Sequence, residues 1–241
     1  MTGVSKSPAE RFASLAVAVA TAIVITAIAI VPFLNPAWVS FEQGRTGAAA
    51  LTGYSPAELD LATNAILHDL VIGPPTFDVA INGEPVLNER ERAHMRDVRG
   101  VFGGFALVAA MSFVVAIAGF AGAKRMGHPE RAWRSIRLGA GGLAVGVVIA
   151  GLVALVAFDT AFEIFHRLFF PSGSYTFDEG TERLVELFPF AFWSETTMAV
   201  GGVILLVCLA VTIAVSRLTT HRELDSEATA SRVVAPSGVR Q

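Results

Sequence analysis

Two histidines stand in similar settings. His94 lies in the densely charged stretch Asn88-Glu89-Arg90-Glu91-Arg92-Ala93-His94-Met95-Arg96-Asp97-Val98-Arg99, and His166 in Phe162-Glu163-Ile164-Phe165-His166-Arg167-Leu168-Phe169-Phe170. Each has a carboxylate at helical spacing: Asp97 three residues after His94, Glu163 three residues before His166. Residues three apart on a helix are neighbours. A carboxylate there can accept the imidazole N–H, fix the tautomer and raise the basicity of the ring. Two such histidines acting together could take a proton from one group and hand one to another. A lone histidine beside an acid is more often a solvated surface residue, so the chemistry depends on whether the fold brings the two together.

Other candidates are weaker. His68 falls in an expected helix, His128 precedes Pro129, and His221 is near the C-terminus. Two histidines and two acids could bind zinc, but no His-x-x-Glu-His spacing supports it, so neither metal nor cofactor is expected. Cys208 is the only cysteine. It permits no intramolecular disulfide framework or multi-cysteine metal site, and its place inside an apolar run suits packing better than nucleophilic attack. No Gly-x-Ser-x-Gly elbow or phosphate-cradling loop is present. A net charge of -3 and a pI near 6.0, without a basic patch interleaved with aromatics, argue against a nucleic-acid partner.

The elements that must position these histidines are membrane helices. Of the 241 residues, 53% are hydrophobic, and the mean hydropathy is +0.58, well above an ordinary soluble domain. Phe12–Phe41, Gly100–Ala123, Leu138–Phe158 and Thr196–Ser216 contain no charged residue. Each reaches the roughly 20 residues a helix needs to cross about 30 Å of hydrocarbon. The first run is too long for the usual h-region of a signal peptide, about 7–15 residues. The expected fold is therefore an all-α polytopic membrane protein with spans near 13–34, 100–123, 137–158 and 195–216. These make up a membrane domain over 12–216. An N-terminal segment, 1–11, precedes it, and a tail, 217–241, rich in Ser, Thr and Ala, is expected to be disordered.

The segments 35–99 and 159–194 lie outside the bilayer on this reading. Ser55-Pro56-Ala57-Glu58 has the pattern of a capping box with proline at the first helical position, and predicts a helix to about Leu70. Asn82-Gly83 between apolar stretches predicts a two-stranded hairpin. Asn88 with Glu91 predicts a second capping box, opening a helix that runs straight into the second span. Phe162, Phe165, Phe169 and Phe170 suggest a short helix in the membrane interface, broken at Pro171-Ser172-Gly173-Ser174, with a further short helix over 184–187. The loop 124–137 carries five basic residues and one acid. The positive-inside rule places it in the cytoplasm, with both termini, and places both histidines on the outer face.

With these residues assembled, a resemblance emerges. Leu87 to Arg99 resembles the E-x-x-H-M-x-D-V signature of a bacterial family of four-span membrane proteins, the lipoprotein intramolecular transacylase (Lit)-like family. Phe165-His166-Arg167-Leu168-Phe169-Phe170, then Tyr175-Thr176-Phe177-Asp178, then Leu187-Phe188-Pro189 resembles the family's second signature. Span number, order and loop sizes agree over about 12–216. The resemblance implies two catalytic histidines, His94 and His166; Asp97 and Glu163, by their spacing, and Tyr175 and Asp178, within the second signature, are expected as supporting residues. It implies transfer of the sn-2 acyl chain of a lipoprotein's diacylglyceryl-cysteine to that cysteine's own α-amino group, giving a lyso-form lipoprotein. The expected location is the bacterial cytoplasmic membrane and the expected partner a diacylated lipoprotein or membrane lipid. Two positions depart from the pattern: Tyr175 stands where tryptophan is expected, and Phe190 where an acid is expected. A different class of function is a non-catalytic envelope module that binds lipid or lipoprotein. The enzyme reading requires the two histidines to converge; the binding reading does not.

Overall fold

A computed structural model describes residues 7–170, 173–178 and 180–234. Among the described residues the regular structure is helical apart from one small hairpin. In order come α1 (Pro8–Ile30), a 3-10 turn (Val31–Leu34), α2 (Pro36–Thr46), α3 (Ala48–Thr52), α4 (Pro56–Val71), strands β1 (Ala80–Ile81) and β2 (Glu84–Pro85), α5 (Glu89–Arg125), α6 (Pro129–Phe169), α7 (Arg183–Leu187) and α8 (Phe190–Val234). Among the described residues four helices are long and apolar enough to cross a membrane: α1, α5, α6 and α8. Leu107, Val114, Ile117, Val145, Leu152 and Leu155 of α5 and α6 are exposed. In water so large an apolar surface would aggregate; in a bilayer it faces lipid.

α1 is the centre of the bundle and packs on α5, α6 and α8. Its contacts rest on small residues, as expected where helices associate by close backbone approach in lipid. A Cβ at Gly139 would fall 2.2 Å from the Ala18 carbonyl oxygen, and one at Gly119 2.3 Å from Val17 Cγ2. Farther along α1, Ile25 and Ala29 pack with Ala140, Ile204 and the buried Cys208. Near its start Ser14 and Ser135 share a hydroxyl hydrogen bond of 2.7 Å, and Glu10 pairs with Arg131.

The segment between α1 and α5 folds as a small cap with its own core. Val39, Leu59, Ile66, Phe77, Val86 and Leu87 are buried there. Leu184, Leu187 and Phe192 from the far end of the chain join the same core. Ser55 accepts the Glu58 amide while Glu58 accepts the Ser55 amide, so α4 begins with the expected reciprocal cap. The hairpin turns at Asn82 (φ 54°) and Gly83 (φ 86°), both positive as a type I′ turn requires. Gln43, 1% exposed, ties three elements: it accepts from Thr63 Oγ1 at 2.9 Å and donates to the Leu187 carbonyl at 3.1 Å.

The expected phenylalanine-rich helix is set off from the span: α6 is two helices meeting at a kink, with Ala157 (φ -149°, ψ 44°) outside helical geometry, next to the end of the uncharged run. Two expectations change. The basic loop is shorter than expected, because α5 extends to Arg125 and α6 starts at Pro129, leaving Met126, Gly127 and His128 between them. The tail is helical as far as Val234 rather than disordered from 217. Neither glycine nor proline interrupts the chain from Val203 to Ala235, so nothing stops α8. The break expected at Pro171-Ser172 lies outside the described residues.

Candidate active site

α5 and α6 are antiparallel and joined by a short turn. The start of one and the end of the other therefore meet at the same end of the bundle. His94, one turn and a half before Gly100, and His166, two turns after Phe158, are brought together there. Their ring centroids are 6.2 Å apart with planes 24° from parallel. Two rings at this separation can both touch one substrate group of a few atoms.

The start of α5 is fixed by its cap. Asn88 accepts the Glu91 amide at 3.0 Å, and Glu91 Oε2 accepts the Asn88 amide at 2.7 Å. Glu91 also accepts the Leu184 amide on Oε1 at 2.6 Å, which docks α7 onto α5. Only 1% of Glu91 is exposed. Burial pushes its carboxyl up, and the two amide donors oppose that. One cap residue thus sets both the start of the His94 helix and the position of the segment returning from α6.

The two imidazoles sit in different surroundings. His94 is 6% exposed, with Phe170 and Phe177 edge-on to it at 4.8 and 5.3 Å between centroids. Its Nδ1 is buried and has no hydrogen-bond partner among the described residues. Burial first, and His166 second, lower its pKa to about 4, against the opposing charge of Asp97. His94 is a neutral imidazole at pH 7. His166 is half-buried, with Phe162 tilted against it at 4.0 Å and Tyr175 at 5.1 Å. Its Nδ1 lies 2.8 Å from the Phe162 carbonyl. A carbonyl can only accept, so Nδ1 carries the hydrogen and Nε2 keeps its lone pair. Burial lowers the His166 pKa, and the bond to Phe162 works the other way.

The acids do not partner the histidines as the spacing suggested. Glu163 turns outward and pairs with Arg167 at 2.6 Å, the favourable i, i+4 arrangement of acid before base. His166 takes a backbone carbonyl instead. Asp97 is exposed and accepts from Ser174 Oγ at 3.1 Å; it acts on His94 through charge and not through a hydrogen bond. Tyr175 does reach the site, against His166. Asp178 does not serve a ring: its Oδ1 accepts the Gly180 amide at 2.8 Å and its own amide donates to Glu182. Phe162, Phe170 and Phe177 form the aromatic surround. Their residue types mark an apolar site, but nothing in their spacing says which face the imidazoles. Among the described residues no group of three His, Cys, Asp or Glu side chains could hold a metal ion.

Fold and site together define an all-α polytopic membrane protein with a desolvated histidine pair at the mouth of its bundle. The model of one protein family, "Lipoprotein intramolecular transacylase Lit", matches residues 13–193. The chain belongs to the lipoprotein intramolecular transacylase family, which supports lipoprotein transacylation as its function and places it among acyltransferases. Its fold is similar to solved structures of the membrane-integral transacylase Lit from Bacillus cereus. One superposes with a TM-score of 0.72 at 17% identity, covering 88% of this chain and 98% of that one. A second, a variant with one histidine changed to arginine, gives 0.72 at 19% identity over 90% and 95%. A third, with a histidine changed to alanine, gives 0.71 at 20% identity over 90% and 96%. At these identities the likeness shows the fold. No curated protein sequence matches.

Proposed function

We propose that this protein moves the sn-2 acyl chain of a lipoprotein's diacylglyceryl-cysteine to the α-amino group of the same cysteine, with His94 and His166 as its acid–base pair. The observation that carries this reading is the convergence of two histidines, far apart in the chain and on different helices, to 6.2 Å between rings.

The reaction needs an amine, an ester and a proton path. The α-ammonium has a free pKa of about 7.7–8.0, so a substantial fraction must lose a proton before it can attack. His166 is the base: the Phe162 carbonyl holds its Nδ1–H, leaving Nε2 to accept. The freed nitrogen attacks the ester carbonyl carbon, the N–C amide bond forms, and the ester C–O bond breaks. The departing glycerol oxygen takes a proton. His94, neutral and with an unengaged ring nitrogen, supports the developing oxyanion by a hydrogen bond, and the proton taken up by His166 is the one returned to the glycerol oxygen. Positioned acid–base groups typically contribute about 10²–10⁴-fold each. From ammonium to amide the nitrogen gives up two protons; one is released to solvent and the other returns to the glycerol oxygen, so no water is consumed and no enzyme nucleophile is required. Cys208 is buried between α1, α6 and α8 in the membrane bundle and takes no part.

The five basic residues of 124–137 favour a cytoplasmic position for that turn and for both termini. The histidines then face outward from the cytoplasmic membrane, where lipoproteins emerge. The test is mass spectrometry of a synthetic diacyl lipopeptide incubated with the purified protein. Appearance of an amide-linked acyl chain and a free glycerol hydroxyl supports the reading. Tight binding of the lipopeptide with no conversion would establish the binding module instead.

A further inference from the structure

The histidine pair is covered by a strap. Residues 173–178 pass over the gap between α5 and α6 and touch both. Ser174 donates to Asp97 on α5. Tyr175 lies on His166 of α6, and the Arg167 guanidinium reaches it. Phe177 lies edge-on to His94. Nothing in the strap's own backbone is regular structure, so its place is set by what holds it.

Most of that hold passes through one ion pair. Arg90, one turn before His94, grips both oxygens of Glu182 with one edge of its guanidinium: Nε donates to Oε1 at 3.0 Å, and Nη2 to Oε1 at 2.6 Å and to Oε2. The same Nη2 donates to the Thr176 carbonyl at 3.0 Å, inside the strap. The guanidinium also lies over the Phe177 ring, 5.2 Å from its centroid. Glu182 in turn accepts the Asp178 amide at 2.8 Å. Glu182 is 7% exposed, and its carboxyl sits below the ordinary range, where burial is outweighed by the Asp178 amide, Arg90 and Asn88. A bidentate, charge-assisted pair of this kind fixes geometry as well as adding energy. Among the described residues neither side chain hydrogen-bonds to an imidazole.

We propose that Arg90 and Glu182 are positioning residues that hold the strap across the histidines, and that this cover decides whether the acyl group goes to the amine or to water. The proposal rests on the transacylase reading. A base that frees an amine can also activate a water molecule. If water attacks, its oxygen bonds to the acyl carbon, the same ester C–O bond breaks, and the glycerol oxygen again takes a proton. The products are then a free fatty acid and a lysoglyceryl-cysteine whose α-amine is unacylated. Intramolecular transfer wins only where the amine is tethered in place and water is kept out. Phe170, Phe177 and Tyr175 provide that exclusion, and the ion pair keeps two of the three seated.

The two outcomes differ in mass. The transfer product is an isomer of the substrate, whereas hydrolysis removes a whole acyl chain. The experiment follows the purified full chain acting on a synthetic diacyl lipopeptide, with free fatty acid and amide-linked product both quantified. Arg90→Ala and Glu182→Gln should raise the ratio of hydrolysis to transfer about tenfold. Arg90→Lys, which keeps the charge but loses the fork, should fall between. Phe177→Ala leaves the ion pair intact and opens the cover directly, so it must shift the ratio the same way even if an ion-pair variant folds poorly. A uniform loss of turnover with the wild-type product ratio in all of these variants would overturn the proposal and leave the transacylase reading standing. Absence of both products with the wild-type protein would instead remove the reading beneath it.

Discussion

The ends of α5 and α6 that meet at the mouth of the bundle offer the same ingredients, a histidine with an acid one helical turn away, and the chain uses them differently. On α5 the histidine turns into an aromatic pocket and loses its polar partner. On α6 it stays at the edge and bonds to the backbone of its own helix. Identical spacing therefore produced one ring set by desolvation and one set by a hydrogen bond. The lesson is that i±3 spacing establishes which side chains could meet; the neighbouring elements decide which do. Arg167 claims Glu163 and Ser174 claims Asp97, so neither acid is left to orient an imidazole.

The largest test of this asymmetry removes the rings. His94→Ala and His166→Ala should each lower lipopeptide conversion by about 10²–10⁴-fold. The double variant should cost little more than either single one, because groups serving one step are not additive. Detergent melting curves check that each variant is folded. Full additivity, or wild-type conversion by either single variant, would break the pairing.

A second test exploits the burial of His94. With a folded-state pKa near 4 against an ordinary 6.5, the unfolded chain takes up a proton that the folded chain refuses. The contribution to stability is complete above pH 6.5 and declines as pH falls toward 4, on the order of 2 kcal/mol by pH 5. Wild-type protein should melt several degrees lower at pH 5 than at pH 7, and His94→Gln should show a smaller drop. The half-buried His166, also depressed, adds in the same direction. Equal pH dependence in wild type and His94→Gln would contradict the desolvated ring.

The smallest effects concern the acids. Asp97→Asn should reduce turnover a few-fold, since only its charge acts on His94 and it also anchors Ser174. Glu163→Gln should change turnover by less than about twofold, because it loses only an exposed helix pair worth about 0.2–0.5 kcal/mol. Initial-rate assays at matched protein levels separate the two. A Glu163 effect as large as that of Asp97 would mean the carboxylate reaches His166 during turnover.

Much of the fold was legible because local signals decide it. Uncharged runs mark the spans. The expected capping boxes at Ser55 and Asn88 and the Asn82-Gly83 turn act within four residues, so their geometry can be read directly. The convergence of His94 and His166 was legible only through topology and the resemblance to a known family. What spacing could not show was long-range partnership: Glu91 on Leu184, Gln43 on Leu187, Arg90 on Glu182. Each joins residues more than ninety positions apart, and no periodicity records such a pair. The extra length of α8 was missed for a different reason. Apolar content fixes where a helix enters lipid, whereas helix ends depend on stop residues, and α8 continues where such stops are missing.

The glycines that let α5 and α6 close onto α1 bear on how the protein is made. α1 leaves the ribosome before α5, α6 and α8, and it is also the surface against which those later spans settle. Gly119, on α5, is synthesised after α1, and Gly139, on α6, after that. The order of synthesis therefore matches the order of packing, and each new span finds its seat already present. A chain cleaved after Leu34, as a secreted protein's leader would be, would lose that seat and leave the two histidine-bearing helices without a common wall.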